Sequence, residues 1–107
     1  MAGAGGTPVR AVLTMTVPAD RAAAFEREWS RVADWVAGQP GCLRQTLSRA
    51  GDGGPASYVI TSDWVDRPSY ERFEHSSRQD TATAGLRELR TSVGLQVLSI
   101  VEHKELR

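Results

Sequence analysis

From Val9 to Val17 every odd position is apolar, while Arg10, Thr14 and Thr16 hold alternate ones; this period of two predicts a strand. Pro18 closes it and Asp20 is placed to cap a helix. Phe25, Trp29, Val32 and Val36 then recur at spacings of four, three and four, one narrow apolar stripe along a helix from about Asp20 to Ala37. Trp35 lies off that stripe and is expected to flank the core or face another subunit. Gly38, Pro40 and Gly41 stop the helix and turn the chain. Leu43 and Leu47 alternate with Arg44, Thr46 and Ser48, a second strand over Cys42 to Arg49, and the glycine-rich loop from Ala50 to Ala56 makes a hairpin with the next one. The organising stretch is Ser57 to Phe73. Its first half, through Trp64, carries the β-branched and aromatic types that suit a pleated surface, and Asp66, Arg67 and Pro68 read as a helix start, followed by Tyr70 and Phe73 at helical spacing.

Ser76 to Gln79 interrupts that second helix, and Asp80 or Thr81 caps a further helical segment to about Thr91, with Leu86 and Leu89 inward and Gly94 as its stop. Leu95, Val97 and Val101 alternate with Gln96 and Glu102 in a last strand to about His103, made apolar on both faces by Leu98 and Ile100. The order is strand, helix, strand, strand, helix, strand: an α+β, ferredoxin-like βαββαβ chain with a four-stranded antiparallel sheet. Helices cover one face of such a sheet. The apolar side chains on the other face are best covered by a second copy packed sheet to sheet, so a homodimer is expected.

Composition narrows the partners. The chain has 107 residues, enough for one domain over residues 9–107, with Met1 to Pro8 expected as a disordered tail that lacks the basic and apolar segments of a signal peptide. Thirteen basic residues cancel thirteen acidic ones, and no basic run exists to hold nucleic acid or an anionic membrane surface. No apolar run approaches the roughly 20 residues needed to span a bilayer. Cys42 is the only cysteine, which excludes an intrachain disulfide and suits a reducing cytoplasm; it reads as a small buried hydrophobe.

Candidate chemistry gathers on the third strand. By alternation Tyr58, Ile60, Ser62 and Trp64 share one face, with Trp64 presenting a large flat surface where strand gives way to helix, a wall for a flat apolar ligand or a piece of core. Asp63 points to the opposite face, as a solvated or interface charge. His75 and His103 are the only histidines and the cheapest proton acceptors near neutral pH. Neither has a Cys or carboxylate at ligand spacing, so no metal site is expected. No Ser-His-Asp order, dinucleotide fingerprint or Walker sequence occurs.

The first strand running into Pro18, Ala19 and Asp20, the helical Phe25 and Trp29, Pro40-Gly41, the segment Ser62-Asp63-Trp64 with Asp66, and Tyr70 to Phe73 together resemble the antibiotic biosynthesis monooxygenase family of the dimeric α/β-barrel superfamily. The resemblance covers Val9 to about His103. It implies a small homodimeric oxygenase without metal, flavin or haem, oxidising a phenolic, anthrone-like aromatic polyketide with O2. On the family's pattern Trp64, Tyr70 and Arg87 take site positions, with Phe73 on the substrate side, and the position of a family Asn falls on Ile60, which donates no hydrogen bond. Either Ser62, Tyr58 or a histidine, His75 among them, supplies the polar group in its place, or the chain does different chemistry. Two other activities fit the same scaffold: a polyketide cyclase or isomerase, and a noncatalytic aromatic-binding accessory protein.

Overall fold

A computed structural model describes residues 6–51 and 54–106. Strand β1 (Val9–Val17) is followed by a 3-10 turn (Ala19–Arg21) and helix α1 (Ala22–Val36); β2 (Cys42–Ala50) and β3 (Ala56–Trp64) form the hairpin, whose tip at 52–53 lies outside the described residues. Helices α2 (Arg67–Glu74) and α3 (Ser77–Leu89) lead to β4 (Ser92–Ser99). The strands lie in the order β2-β3-β1-β4, with every neighbouring pair antiparallel, so the two halves of the chain interleave as in the ferredoxin-like fold.

The alternation read from β1 decides which face is core. Val9, Ala11, Met15 and Val17 are buried, and their β3 partners Trp64, Ser62, Tyr58 and Ala56 face the same side. Helix α1 closes one end of this face with Ala22, Phe25, Val32 and Val36, the stripe expected from the sequence; Trp29 and Trp35 pack against its margin. Phe25 meets the Tyr58 ring at a centroid distance of 4.8 Å.

Three boundaries differ from the sequence reading. Asp20 makes no capping hydrogen bond, because the chain leaves Pro18 through the 3-10 turn and α1 starts at Ala22. Helix α3 starts earlier than Asp80: the Ser76 hydroxyl caps it by accepting the Gln79 N–H at 3.0 Å, so the Ser76–Gln79 interruption is a two-residue break between α2 and α3. The last strand begins at Ser92 and ends at Ser99. Gly94 lies inside it opposite Thr14, where a Cβ would press on the Thr14 hydroxyl at 3.0 Å, so its role is close strand approach and not helix termination. The strand stops short of His103 because its partner runs out: Ser99 pairs with Val9, and Pro8 accepts the Ile100 N–H at 2.9 Å but has none to return.

The outer face of the sheet carries Val12, Val59 and Leu98 among threonines, with Leu98 45% exposed. It also holds Asp63, expected as a solvated or interface charge; at 1% exposure it is not solvated. Arg10 donates to both its carboxylate oxygens at 2.7 and 2.9 Å, and Arg44 from β2 donates to Oδ2 at 2.6 Å. Three strands are cross-linked by this one carboxylate, whose pKa the Arg10 hydrogen bond lowers against the opposing effect of burial. The expected disordered tail falls partly on residues 1–5, outside the described residues. No described helix is long and apolar enough to cross a membrane.

Candidate functional site

Between the helix-facing side of the sheet and helices α2 and α3 lies a cavity of about 390 Å³, within the size range of small-molecule sites. Its floor is apolar: Ala11, Leu13 and Met15 from the central strand, Ile60 from β3 and Val93 and Leu95 from the edge strand β4. Its other wall is polar and aromatic, supplied by α2 and α3.

The entry of α2 sets the aromatic end. Asp66 leaves the strand in extended conformation and its side chain accepts the Ser69 N–H at 2.8 Å, while Pro68 opens the first turn. Gly41 holds this entry from below: its carbonyl accepts the Val65 N–H at 2.9 Å, and it does so at φ +89°, so close to Ser69 that a Cβ there would fall 2.6 Å from the Ser69 Cβ. Tyr70 and Phe73 then project onto Trp64, Phe73 stacked at 4.9 Å and Tyr70 edge-on at 5.9 Å. Trp64 is fully buried and does not itself line the cavity; it backs the residues that do. Its indole N–H donates to Ser62 Oγ at 3.0 Å. With a lone pair thus engaged, the Ser62 hydroxyl hydrogen remains to donate to an acceptor in the cavity.

Tyr70 donates its hydroxyl to Glu74 Oε2 at 3.1 Å, one helical turn on. Burial, and then the neighbouring Glu74 carboxylate, push the Tyr70 pKa well above that of an ordinary phenol, so it stays a hydrogen-bond donor across the physiological range. On α3, Arg87 donates to the Thr83 hydroxyl and to the Asp80 carbonyl at 2.7 Å, with the Asp80 carboxylate 3.8 Å away. Arg90, just past the helix, also lines the cavity; burial and the nearby Arg87 charge lower its pKa.

Of the residues singled out in the sequence, Ile60, Ser62, Tyr70, Phe73 and Arg87 therefore share one cavity, with Trp64 directly behind it. Tyr58 does not reach it. Its hydroxyl donates to Glu26 at 2.6 Å and Arg49 lies over its ring, a clamp between α1 and the sheet edge; burial and Glu26 raise its pKa to about 12. His75 is 77% exposed at the end of α2, 3.9 Å from the Glu74 carboxylate, and outside the cavity. His103 pairs with Glu105 at 3.1 Å in the segment beyond β4. Cys42 is half-buried and burial raises its pKa, which keeps it a thiol. Among the described residues no group of three His, Cys, Asp or Glu side chains could hold a metal ion.

Sequence reasoning passed over Glu74, Thr83 and Arg90. Glu74 stands four residues after Tyr70, and Asp80, Thr83, Arg87 and Arg90 have a three-four-three spacing that marks one helix face.

Comparison with known proteins places this architecture. The profile of the antibiotic biosynthesis monooxygenase family matches residues 8–84, and the chain belongs to that family. Among solved structures it resembles SnoaB, a cofactor-independent oxygenase from Streptomyces nogalater. An Asn-to-Ala variant of SnoaB is 28% identical, with a TM-score of 0.79, covering 92% of this chain and 97% of that one. A second SnoaB structure is 26% identical over the same shares, also at 0.79. A Caulobacter crescentus protein solved under the same family name is 22% identical at a TM-score of 0.78, covering 90% of this chain and 92% of its own, and shares the fold. No curated protein matches the chain.

Proposed function

We propose that the protein is a cofactor-independent monooxygenase that oxidises a phenolic, anthrone-like polycycle of aromatic polyketide type with O2, as a cytoplasmic homodimer of the dimeric α/β-barrel kind. The observation that carries this reading is the cavity itself: an apolar slot backed by Trp64 and Phe73, with the Tyr70–Glu74 pair and Arg87 on its polar wall. Membership of the family and the likeness to SnoaB support it.

The chemistry asks little of the protein. An anthrone has a weakly acidic CH2 group between aromatic rings, and removing one of its protons gives a carbanion delocalised onto the carbonyl oxygen. That electron-rich carbon passes one electron to O2, and the resulting radical and superoxide combine into a C–O bond. After protonation of the peroxide, loss of the second C–H proton with cleavage of the O–O bond gives the quinone carbonyl and water. Of the two carboxylates lining the cavity, Asp80 faces Arg87 and Glu74 takes the first proton, with the Tyr70 hydroxyl donating to the carboxylate or to the substrate oxygen. Ser62 supplies the donor that Ile60 lacks, since its oxygen is fixed by Trp64 and its hydrogen remains available to a developing oxyanion. Arg87 adds positive charge on the same side. His75 acts, on this reading, only through its closeness to Glu74. The outer sheet face, with Leu98 and its half-buried valines, is the surface for the second copy.

Oxygen uptake with a hydroxyanthrone, measured above the uncatalysed background for the wild type and for Glu74→Gln, tests the proposal. A wild-type rate no greater than background with every hydroxyanthrone or naphthol tried would sink it. The acid–base pair Tyr70–Glu74 also suits ring closure without oxygen, so anaerobic cyclisation of a linear polyketide is the outcome that would favour a cyclase.

A further inference from the structure

We infer that the substrate of this cavity carries a carboxylate, docked on the Arg90 guanidinium at the end of the slot away from Tyr70. The inference rests on the reading of the cavity as a site for a flat aromatic compound, and it names the class within that reading.

Four charged side chains line the cavity, and three of them are occupied. Glu74 accepts the Tyr70 hydroxyl, while Asp80 and Arg87 face each other at 3.8 Å, with Arg87 further held by Thr83 and the Asp80 carbonyl. The Arg90 guanidinium makes no hydrogen bond or ion pair among the described residues. Its surroundings are burial and a second guanidinium, both of which disfavour its charge. A partly desolvated cation beside another cation makes a region of positive potential, and an anion placed there relieves both. A cation at a helix C-terminus is favoured in any case. That accounts for a basic residue at this position, but not for its place in the cavity wall beside Arg87.

Arg90 is also held in place. Its own N–H donates to the Leu86 carbonyl at 3.3 Å; the adjoining Thr91 N–H donates to Thr16 O at 2.8 Å, and Ser92 bonds the Thr16 hydroxyl at 3.0 Å. These bonds fix its backbone beside Thr16, next to the level where Val93 pairs with Met15, whereas Ser62 pairs with Ala11 at the other end. Those levels are separated by four residues of β1, about 13 Å along a strand. A fused-ring body would lie over Leu13, Ile60 and Leu95, with its acid at Arg90 and its reacting ring near Ser62, Tyr70 and Phe73. The guanidinium fork suits a planar carboxylate. A phosphate dianion fits less well, because the carbonyl end of α3 is adjacent and opposes its larger negative charge.

Calorimetric titration with anthraquinone-2-carboxylate and anthraquinone-2-carboxamide tests this without turnover. The wild type should bind the acid more tightly than the amide by about tenfold or more. Arg90→Gln should bring the two within about threefold while leaving amide affinity unchanged, which also shows that the cavity is intact. Arg90→Lys, keeping charge without the fork, should fall between. Equal wild-type affinity for acid and amide, or an acid preference that survives Arg90→Gln, overturns the inference and leaves the aromatic site standing. Binding of neither compound overturns both.

Discussion

Trp64 donates its indole N–H to the Ser62 hydroxyl at 3.0 Å, and Ser62, not Trp64, borders the cavity. The tryptophan thus acts through its neighbours, stacking Phe73, meeting Tyr70 edge-on and orienting Ser62. Ser62→Ala strands a buried N–H, so it should cost about 1–3 kcal/mol in denaturant unfolding. It should also lower kcat by about tenfold to a hundredfold, by removing one donor to the oxyanion. Trp64→Phe keeps an aromatic ring and removes the N–H; added to Ser62→Ala it should cost less than the two single effects summed. Additive unfolding costs in that cycle would show that the bond carries no coupling.

Tyr70 and Glu74 divide the proton work. Glu74→Gln keeps size and a hydrogen-bond acceptor but loses basicity, so turnover should fall by about a hundredfold or more. Tyr70→Phe, which leaves the carboxylate in place, should cost less. Steady-state kinetics on both variants decides the order, and a larger loss for Tyr70→Phe would move the base away from Glu74.

Asp63 makes acid stability specific. Its folded pKa lies below the unfolded value, so the stabilisation it gives is present above the unfolded value of about 3.9. It is lost as pH falls from there through the folded pKa. Urea midpoints between roughly pH 2.5 and 5 should therefore drop more steeply in the wild type than in Asp63→Asn. Identical slopes would mean that Arg10 and Arg44 contribute no linkage through this carboxylate.

Gly41 controls the site from a distance. Its φ of +89° and the 2.6 Å approach of a would-be Cβ to Ser69 leave no room for a side chain. Gly41→Ala should cost about 2 kcal/mol or more in unfolding. Because α2 would shift to relieve the clash, turnover should fall as well, whereas Gly51→Ala, with nothing within 4 Å, should cost stability through its φ of +82° and leave turnover unchanged.

Much of this was legible in the sequence because the β1 alternation is strong, and a strand buried on one face fixes the face of every partner by register. Tyr70 and Phe73 came into view through Pro68 and Asp66, whose backbone preferences set the start of α2. Alternation also put Tyr58 on the face that holds the cavity; what it could not give was depth, and Tyr58 is claimed at the far end by Glu26 and Phe25. His75 was drawn in by chemistry alone, and its place at the helix end turns it to solvent. Arg90 and Glu74 stayed hidden because helical spacing alone does not show which face of α2 or α3 turns to the sheet: Glu74 ends α2 one turn after Tyr70, and Arg90 lies just past Leu89 at the end of α3.

The oxygenase reading turns on whether a carbon bound in this cavity reacts with molecular oxygen. Turnover of a hydroxyanthrone under oxygen-18 gas, with mass spectrometry of the quinone, decides that point. One labelled oxygen per quinone is expected, formed at an enzyme-dependent rate that Glu74→Gln lowers by about a hundredfold or more. Quinone without label, or labelled quinone formed equally fast by the wild type, by Glu74→Gln and in buffer alone, would refute the oxygenase.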